Sequence, residues 1–400
     1  MKLNQGYRHL QNSYFFSSIV KKTEDYRAQD PKADIIRLGV GDVSIPLCPA
    51  VVHAMQQAVQ EMGRKGTFHG YGPEQGYDFL RSAIRGYYRR YGVRLEMDEI
   101  FVSDGANSDL GNILDLFDRD NTVLIPNPVY PVYEDTNIMA GRKILYMHAS
   151  EQNGFLPLPD KSIQADIIYL CSPGNPTGAV YSRAQLEKWV DYANDMGAII
   201  IFDAAYESFI ATPDLPHSIF EIRGAKTCAI EICSLSKTAG FTGTRCGYTV
   251  VPRRLVREGL ELRRMWLRRQ TTKFNGVSYI VQRGAEAVFS PEGIEQTRSA
   301  IAYYRENGRI IKSALEELGI WHVGGEHSPY VWLKCPSGMG SWAYFEYLLH
   351  TCHIVSTPGA GFGSSGEGYL RLSSFAGRDD TVRAMERFIQ KGIPGQSAGQ

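Results

Sequence analysis

The sequence predicts an α/β fold with a mainly parallel sheet. Short apolar runs recur along much of the chain, and each one ends in small or polar residues. Unbroken apolarity over about five residues is typical of strands that are buried on both faces. Helical patterns separate these runs, and such alternation indicates parallel strands with crossover helices. The predicted strands lie within residues 99–106, 121–128, 165–173, 198–206, 227–236 and 246–252.

The clearest helical pattern follows Ser182. Ser182 and Gln185 have the spacing of a capping box, in which each side chain binds the backbone of the other residue. One apolar stripe continues from there, and such a stripe is the buried face of an amphipathic helix. Its members are Leu186, Trp189, Val190, Ala193 and Met196. We therefore expect a helix that packs against the predicted sheet.

The chain has 400 residues, which is too long for one simple core, so about two or three domain-sized units are expected. We predict a large domain over residues 46–285. The N-terminal segment 1–45 and residues 286–400 are expected to form a smaller α/β domain together. Its predicted strands lie within 327–335 and 368–376, and a closing helix is predicted over 378–392.

The composition excludes several classes of partner. Lys+Arg and Asp+Glu both number 43, so the formal net charge is zero, and neither nucleic acid nor an anionic membrane is expected as a ligand. No apolar run approaches the roughly 18–20 residues that a membrane helix needs, and the N-terminus does not resemble a signal peptide. The seven cysteines form no CxxC pair, which favours free thiols in a reducing compartment. We expect a cytoplasmic protein without a bound metal.

The residues directly after the apolar runs are the first candidates for a functional site. In open α/β sheets, ligands bind beyond the carboxyl ends of the strands. These positions carry the stretches SDGAN (103–107), PNPVYPVY (126–133), SPGNPTG (172–178), DAAY (203–206) and SLSK (234–237). The sequence therefore predicts a site at this edge of the sheet.

Lys237 is the central candidate, because it follows a predicted buried strand and is surrounded by small hydroxyl residues. A partly desolvated lysine has a lowered pKa and attacks carbonyl groups. Pyridoxal phosphate needs such a lysine to form a Schiff base, and it also needs a carboxylate at its ring nitrogen. Asp203 is the candidate carboxylate. Tyr206 and Asn175 can donate hydrogen bonds to the phenolic oxygen of the ring, and Tyr130 can stack on its face.

The phosphate of this cofactor has candidate ligands as well. Ala106 and Asn107 follow Gly105 at the start of a predicted helix, whose backbone N–H groups and dipole favour an anion. Ser234, Ser236 and Arg245 complete the predicted phosphate site. Each of these residues alone has an ordinary structural explanation, such as a turn, a cap or a surface ion pair. Their occurrence together, on successive strand ends, indicates a pyridoxal phosphate enzyme.

The ordered motifs SDGA, Y-P-x-Y, SPxNPTG, D-x-A-Y, S-x-SK and R-x-G resemble the fold type I, aspartate-aminotransferase-like family of pyridoxal phosphate enzymes. The resemblance covers almost the whole chain. Longer segments are more similar to the LL-diaminopimelate aminotransferase subfamily of lysine biosynthesis, which uses 2-oxoglutarate as amino acceptor. These segments are 12–16, 71–76, 218–222, 241–252, 274–276, 324–332 and 357–375. The resemblance implies a large domain with a seven-stranded type of sheet, a smaller domain and a homodimer with shared active sites.

The resemblance also assigns roles to individual residues. Lys237, Asp203 and Tyr206 would be catalytic, with Lys237 moving a proton between cofactor and substrate carbons. Arg371 would bind the α-carboxylate of the substrate, and Glu74 its distal ammonium. Tyr71 and Asn275 would be lent across a dimer interface, and Tyr71 would reach the phosphate. The resemblance gives substrate contacts to Tyr14, Gly41, Glu74, Asn107, Tyr130, Asn175, Asn275 and Arg371, and adds Tyr71 and Asn275 to the cofactor site.

Two positions depart from the subfamily pattern. Asn107 stands where lysine is usual, and Asn127 stands where aspartate is usual. These departures leave a different amino donor, aromatic or aliphatic, as an open alternative. A dinucleotide-dependent oxidoreductase is disfavoured, because the glycine-rich stretch 359–363 precedes a predicted strand, whereas the dinucleotide fingerprint opens a helix. A DNA-binding regulator of this fold is also disfavoured, because no separate DNA-binding domain is expected before the enzyme-like segment.

Overall fold

The computed structural model describes residues 1–10, 15–336 and 338–395. The strands in these ranges are β1 Ile36–Arg37, β2 Ile100–Ser103, β3 Thr122–Asn127, β4 Lys143–His148, β5 Ile167–Cys171, β6 Ile199–Asp203, β7 Ala229–Ser234, β8 Gly247–Val250, β9 Val256–Arg257, β10 Leu260–Glu261, β11 His322–Gly324, β12 Tyr330–Lys334, β13 Ile354–Val355, β14 Thr357–Pro358 and β15 Tyr369–Ser373.

The α-helices in the same ranges are α1 Phe15–Gln29, α2 Pro49–Met62, α3 Asp78–Arg89, α4 Ala106–Asn112, α5 Pro131–Ala140, α6 Arg183–Met196, α7 Leu235–Ala239, α8 Leu262–Lys273, α9 Tyr279–Val288, α10 Pro291–Glu317, α11 Ser341–Cys352 and α12 Arg378–Lys391. None of the described helices is both long enough and apolar enough to cross a lipid bilayer.

A seven-stranded sheet forms the centre of the molecule, in the order β2-β8-β7-β6-β5-β3-β4. All of its strands are parallel except β8, which is antiparallel to both neighbours. The predicted α/β class and all of the predicted strand runs of the large domain are confirmed. Strand β4 was not predicted. It is an edge strand whose side chains are largely exposed or only partly buried, and its apolar run is four residues long (144–147).

Helix α6 begins at the predicted capping box. The Ser182 hydroxyl accepts a hydrogen bond from the Gln185 N–H at 3.3 Å, and the Gln185 side chain accepts one from the Ser182 N–H at 2.9 Å. The predicted stripe faces the sheet, with Leu186, Trp189 and Val190 fully buried. The helix is therefore fixed by local capping at its start and by packing along its length.

A second hydrophobic core joins both ends of the chain. Apolar side chains of the N-terminal segment, from Ile19 to Leu38, pack with side chains from Ile311 to Phe388. The sheet of this region has the antiparallel order β11-β12-β15-β14, and β1 pairs in parallel with β13. The strands predicted within 327–335 and 368–376 and the closing helix predicted over 378–392 are confirmed by β12, β15 and α12.

Candidate active site

The carboxyl ends of the central strands surround a cavity of about 350 Å³. Strands β6 and β7 end in Asp203 and Ser234, and both residues line it. Most of the predicted cofactor residues meet here, although the sequence separates them by up to 139 positions. The cavity is lined by Asp42, Ala106, Asn107, Leu110, Tyr130, Tyr133, Asn175, Asp203, Ala205, Tyr206, Ser234, Ser236, Lys237, Thr242 and Arg245.

Lys237 lies in the short helix α7, which starts directly after β7. The Ser234 hydroxyl caps this helix by accepting a hydrogen bond from the Ser236 N–H at 3.1 Å. The pKa of Lys237 is lowered to about 8, mainly by burial and also by the positive charges of Arg371 and Arg245, while Asp42 opposes the shift. A larger fraction of this amine is therefore unprotonated near neutral pH than in an exposed lysine, which is what a nucleophilic lysine requires.

Asp203 is buried, with only 4% of its surface exposed. Its carboxylate accepts a hydrogen bond from the Tyr133 hydroxyl at 2.6 Å and another from the Ala205 N–H at 3.0 Å. Burial raises the pKa of Asp203, and these two hydrogen bonds oppose the increase. Sequence reasoning missed Tyr133, although it is the second tyrosine of the quoted motif PVYPVY and could have been considered.

Arg245 lies at the other end of the cavity. Its guanidinium donates to the Ser236 hydroxyl at 3.4 Å and to the Thr242 carbonyl at 3.2 Å. Gly105, at the start of α4, has φ +129°, and a Cβ atom there would lie 2.6 Å from Nη2 of Arg245. Only glycine therefore permits this approach. Hydroxyl groups, a guanidinium and the N–H groups at the start of α4 together form a site suited to an anion.

Tyr130 and Asn107 meet at the wall of the cavity. The Tyr130 hydroxyl donates a hydrogen bond to Oδ1 of Asn107 at 3.1 Å. Tyr130 precedes α5 and is the residue that caps its start. A hydrogen bond therefore links Tyr130, which is predicted to stack on a cofactor ring, to Asn107, where the chain departs from the subfamily pattern.

Arg371 lies in β15 and is 1% exposed. Its Nη1 donates to Oδ1 of Asn175 at 2.7 Å and its Nη2 to the Gly39 carbonyl at 2.8 Å. Its Nε is buried without a hydrogen-bond partner. Within the described part of the chain, no carboxylate forms an ion pair with Arg371, which was predicted to bind a substrate carboxylate. A buried guanidinium with an open donor is suited to a carboxylate ligand.

Tyr206 and Tyr330 form a buried pair whose hydroxyl oxygens are 2.9 Å apart. The ring of Tyr330 also lies against Arg371, with 4.3 Å between the guanidinium carbon and the ring centroid. Gly41 lies beside this pair, since a Cβ atom on it would be 2.7 Å from the Tyr330 hydroxyl. No role was predicted for Tyr330. The residue belongs to the segment 324–332, but no pattern in that segment indicates that its hydroxyl pairs with Tyr206.

Some predicted residues lie outside the cavity. Tyr71 is 94% exposed, and neither Glu74 nor Asn275 lines the cavity in a single chain. The loop after Asn275 lies against the Pro73–Glu74 backbone, since a Cβ atom on Gly276 would be 3.3 Å from the Pro73 carbonyl oxygen. These residues therefore share one surface region. Tyr14 lies outside the described residues. Among the described residues, no group of three or more His, Cys, Asp or Glu side chains could hold a metal ion.

Comparison with known proteins agrees with this geometry. The model of the family described as aminotransferase class I and II matches residues 33–389. The chain belongs to this family of aminotransferases. The LL-diaminopimelate aminotransferase of Phocaeicola vulgatus is 52% identical over 402 residues, which cover 96% of this chain and 98% of the relative. That of Methanosphaera stadtmanae is 49% identical, with 97% and 98% covered.

Solved structures give the same result. The L,L-diaminopimelate aminotransferase from Chlamydomonas reinhardtii matches with a TM-score of 0.91 and 40% identity, and the match covers 97% of this chain and 98% of that one. A variant of the aspartate aminotransferase of Thermus thermophilus has a TM-score of 0.85 at 22% identity, which supports the fold alone. The expected fold type I architecture and the expected aminotransferase activity are confirmed.

Proposed function

We propose that this aminotransferase uses pyridoxal phosphate to transfer the amino group of LL-diaminopimelate to 2-oxoglutarate, as a step of lysine biosynthesis. One observation carries the cofactor proposal: Lys237, with a pKa of about 8, lines the same cavity as the buried carboxylate Asp203. The similarity to relatives named LL-diaminopimelate aminotransferase, at about half identity over nearly the full chain, supports the amino donor.

The residues of the cavity fit pyridoxal phosphate. Lys237 would hold its aldehyde carbon and Asp203 its ring nitrogen, and Tyr130 would cover the ring. Tyr206 and Asn175 would face its phenolic oxygen. The phosphate would occupy the anion site formed by Ala106, Asn107, Ser234, Ser236 and Arg245. When bound, this group supplies an electron-withdrawing ring that stabilises negative charge on the substrate carbon.

The side chains of the protein account for the remaining chemistry. Nζ of Lys237 can accept a proton from the substrate carbon and return it, because the lowered pKa leaves a larger fraction of the amine unprotonated near neutral pH than in an exposed lysine. The charge of Asp203 would favour a proton on the ring nitrogen of the cofactor, while the Tyr133 hydroxyl holds this carboxylate in place. The Tyr206 hydroxyl lines the cavity and can donate a hydrogen bond into it.

Arg371 would bind the α-carboxylate of both substrates. Its bonds to Asn175 and Gly39 fix the plane of the guanidinium, and its Nε remains open. Because the side chain is buried beside the rings of Tyr330 and Phe362, water competes weakly for this site. A bidentate contact would therefore orient the substrate over Lys237.

The far end of diaminopimelate would need binding residues other than Arg371. We propose that Glu74 binds its distal ammonium and that Tyr14, Gly41 and Asn107 contribute further contacts. We also propose a homodimer in which Tyr71 and Asn275 complete the cavity of the partner. The exposure of Tyr71, at 94%, supports this arrangement, because its ring has little cover in a single chain. The free state of all seven cysteines supports a reducing, cytoplasmic setting.

A panel of amino donors tests the substrate. The protein loaded with pyridoxal phosphate is given LL-diaminopimelate, aromatic or aliphatic amino acids, each with 2-oxoglutarate, and glutamate formation is measured. We expect diaminopimelate to have the highest kcat/KM. Borohydride reduction followed by peptide mapping should place the cofactor on Lys237, and Lys237→Ala serves as the inactive control. Preference for an aromatic or aliphatic donor would overturn the diaminopimelate proposal, and a reduced adduct on another lysine would overturn the assignment of Lys237.

A further inference from the structure

Tyr330 is buried next to the cavity and has no role yet in binding or catalysis. It is 1% exposed and does not line the cavity, whereas its neighbour Tyr206 does. Their hydroxyl oxygens are 2.9 Å apart, and the rings meet edge to face with centroids 5.1 Å apart. The two hydroxyls thus share one hydrogen bond, in which either could be the donor.

The surroundings decide the direction of this bond. Within the described part of the chain, the Tyr330 hydroxyl has Tyr206 as its one hydrogen-bond partner. If Tyr206 donated, the hydrogen of Tyr330 would be buried without an acceptor, which proteins avoid. If Tyr330 donates, its hydrogen is satisfied, and the hydrogen of Tyr206 is free to point into the cavity. The second arrangement is favoured because Tyr206 lines the cavity, where its hydrogen can meet water or a ligand, whereas Tyr330 does not.

Arg371 strengthens this donor. Its guanidinium carbon lies 4.3 Å from the centroid of the Tyr330 ring, and its positive charge opposes the increase in the pKa of Tyr330 that burial causes. A more acidic hydroxyl is a better hydrogen-bond donor. The other titratable groups that act on the pair are Cys171 and Asp203, and both raise the pKa of each tyrosine.

We propose that Tyr330 is a positioning residue that donates a hydrogen bond to Tyr206 and thereby directs the Tyr206 hydroxyl hydrogen into the cavity. This inference rests on the proposed pyridoxal phosphate site. Tyr206 then donates more strongly to the phenolic oxygen of the cofactor, because a hydroxyl that accepts a hydrogen bond becomes a stronger donor. The stronger donation stabilises the deprotonated form of the bound cofactor.

The test is a pH titration of the absorption spectrum of the loaded protein without substrate. Loss of the Tyr330 hydroxyl in Tyr330→Phe should raise the pH of the spectral change by roughly 0.5–1 unit, a three- to tenfold change in the ionisation constant. Tyr206→Phe should raise it at least as far, and the double variant should show no further increase. Tyr344→Phe is the matched control, because it removes a buried tyrosine hydroxyl that donates to the Gly392 carbonyl in the other core.

A second substitution should move the pH of the spectral change in the opposite direction. Replacing Tyr330 by 3-fluorotyrosine keeps the hydroxyl but makes it more acidic, so the spectral change should move to lower pH. A mere loss of packing cannot produce this shift. The role of Tyr330 would be overturned if the spectrum of Tyr330→Phe changed at the same pH as that of wild type. It would also be overturned if the shift in the double variant equalled the sum of the shifts in the two single variants. If wild-type protein showed no cofactor absorption after loading, the proposed cofactor site itself would be wrong.

Discussion

At the scale of single residues, the charge state of Lys237 depends on its surroundings. Its pKa of about 8 results from burial and from the two arginines nearby. Below that pH the side chain is an ammonium that cannot attack a carbonyl, and above it the amine is free.

We therefore predict that Lys237, in protein free of cofactor, reacts with an amine-acylating reagent at a rate that levels off above about pH 8. A lysine in a free peptide continues to gain reactivity up to about pH 10. Mass spectrometry of tryptic peptides measures the rate for each lysine. A Lys237 profile that follows the free peptide would contradict the lowered pKa.

Asp203→Asn keeps the shape of its side chain but removes its charge. The amide oxygen can still accept the hydrogen bond of Tyr133, so the variant should fold and retain pyridoxal phosphate. Because a neutral amide cannot hold a proton on the ring nitrogen, turnover should fall on the order of 10²-fold or more. Cofactor content by absorbance and steady-state turnover are measured together. Near-normal turnover would show that another group fills this role.

Asn107→Lys tests the departure from the subfamily. A lysine could reach the far carboxylate of diaminopimelate, and a charge-assisted bond in place of a neutral one is typically worth about 1 kcal/mol. The KM for diaminopimelate should therefore fall roughly fivefold, while the KM for the shorter glutamate should change little. Asn107→Gln is the neutral control, since it lengthens the side chain without adding charge. Equal changes for both donors would contradict a contact with the far carboxylate.

At the scale of elements, short helices place the reactive groups. Helix α7 is five residues long, and its cap at Ser234 sets the direction in which Lys237 leaves the strand end. The longer helix α6 fixes the sheet from outside the site, because its apolar stripe packs on the central core. The cap of α7 therefore acts on the position of Lys237, whereas α6 supports the sheet by packing.

The capping box of α6 can be tested without touching the site. Ser182→Ala removes the hydroxyl that accepts the Gln185 N–H, so the free energy of unfolding should fall by about 1 kcal/mol. Ser182→Thr keeps a capping hydroxyl and should lose less. Urea denaturation measures both, and kcat should stay at the wild-type value. Equal losses in the two variants would show that the cap contributes nothing.

At the scale of the whole molecule, one hydrophobic core packs on the central sheet and another joins the two ends of the chain. The central core extends from Val51 to Val288, and the second core joins both chain ends. Helix α9 continues past residue 285, the predicted end of the large domain, and its residues Ala285 and Val288 pack in the central core. We propose that the boundary lies between α9 and α10 and that residues 1–45 belong with the C-terminal domain.

The proposed dimer predicts complementation between inactive variants. If Tyr71 serves the partner's cavity, a heterodimer of Lys237→Ala and Tyr71→Ala contains one site with both residues intact. Random mixing of the two chains should then restore about a quarter of wild-type activity. Each variant is first assayed alone, and activity is measured after unfolding and refolding the mixture. No gain over the separate variants would mean that Tyr71 does not act across the interface.

The sequence by itself determined six of the seven strands of the central sheet and the identity of most cavity residues. Strands buried on both faces require unbroken apolar runs, and the residues that follow them must lie at one edge of a parallel sheet. Lys237 and Asp203 could be assigned for this reason. Short, local sequence motifs indicate the chemistry of these residues.

Only the tertiary structure decided the pairs that join distant segments. Arg371 binds Asn175 across 196 positions, and Tyr206 meets Tyr330 across 124. The bond from Tyr133 to Asp203 also depends on how α5 packs beside the sheet. No local pattern specifies such contacts, because they follow from the relative placement of whole elements. A hydrogen bond of this kind exists only once both backbones are fixed in space.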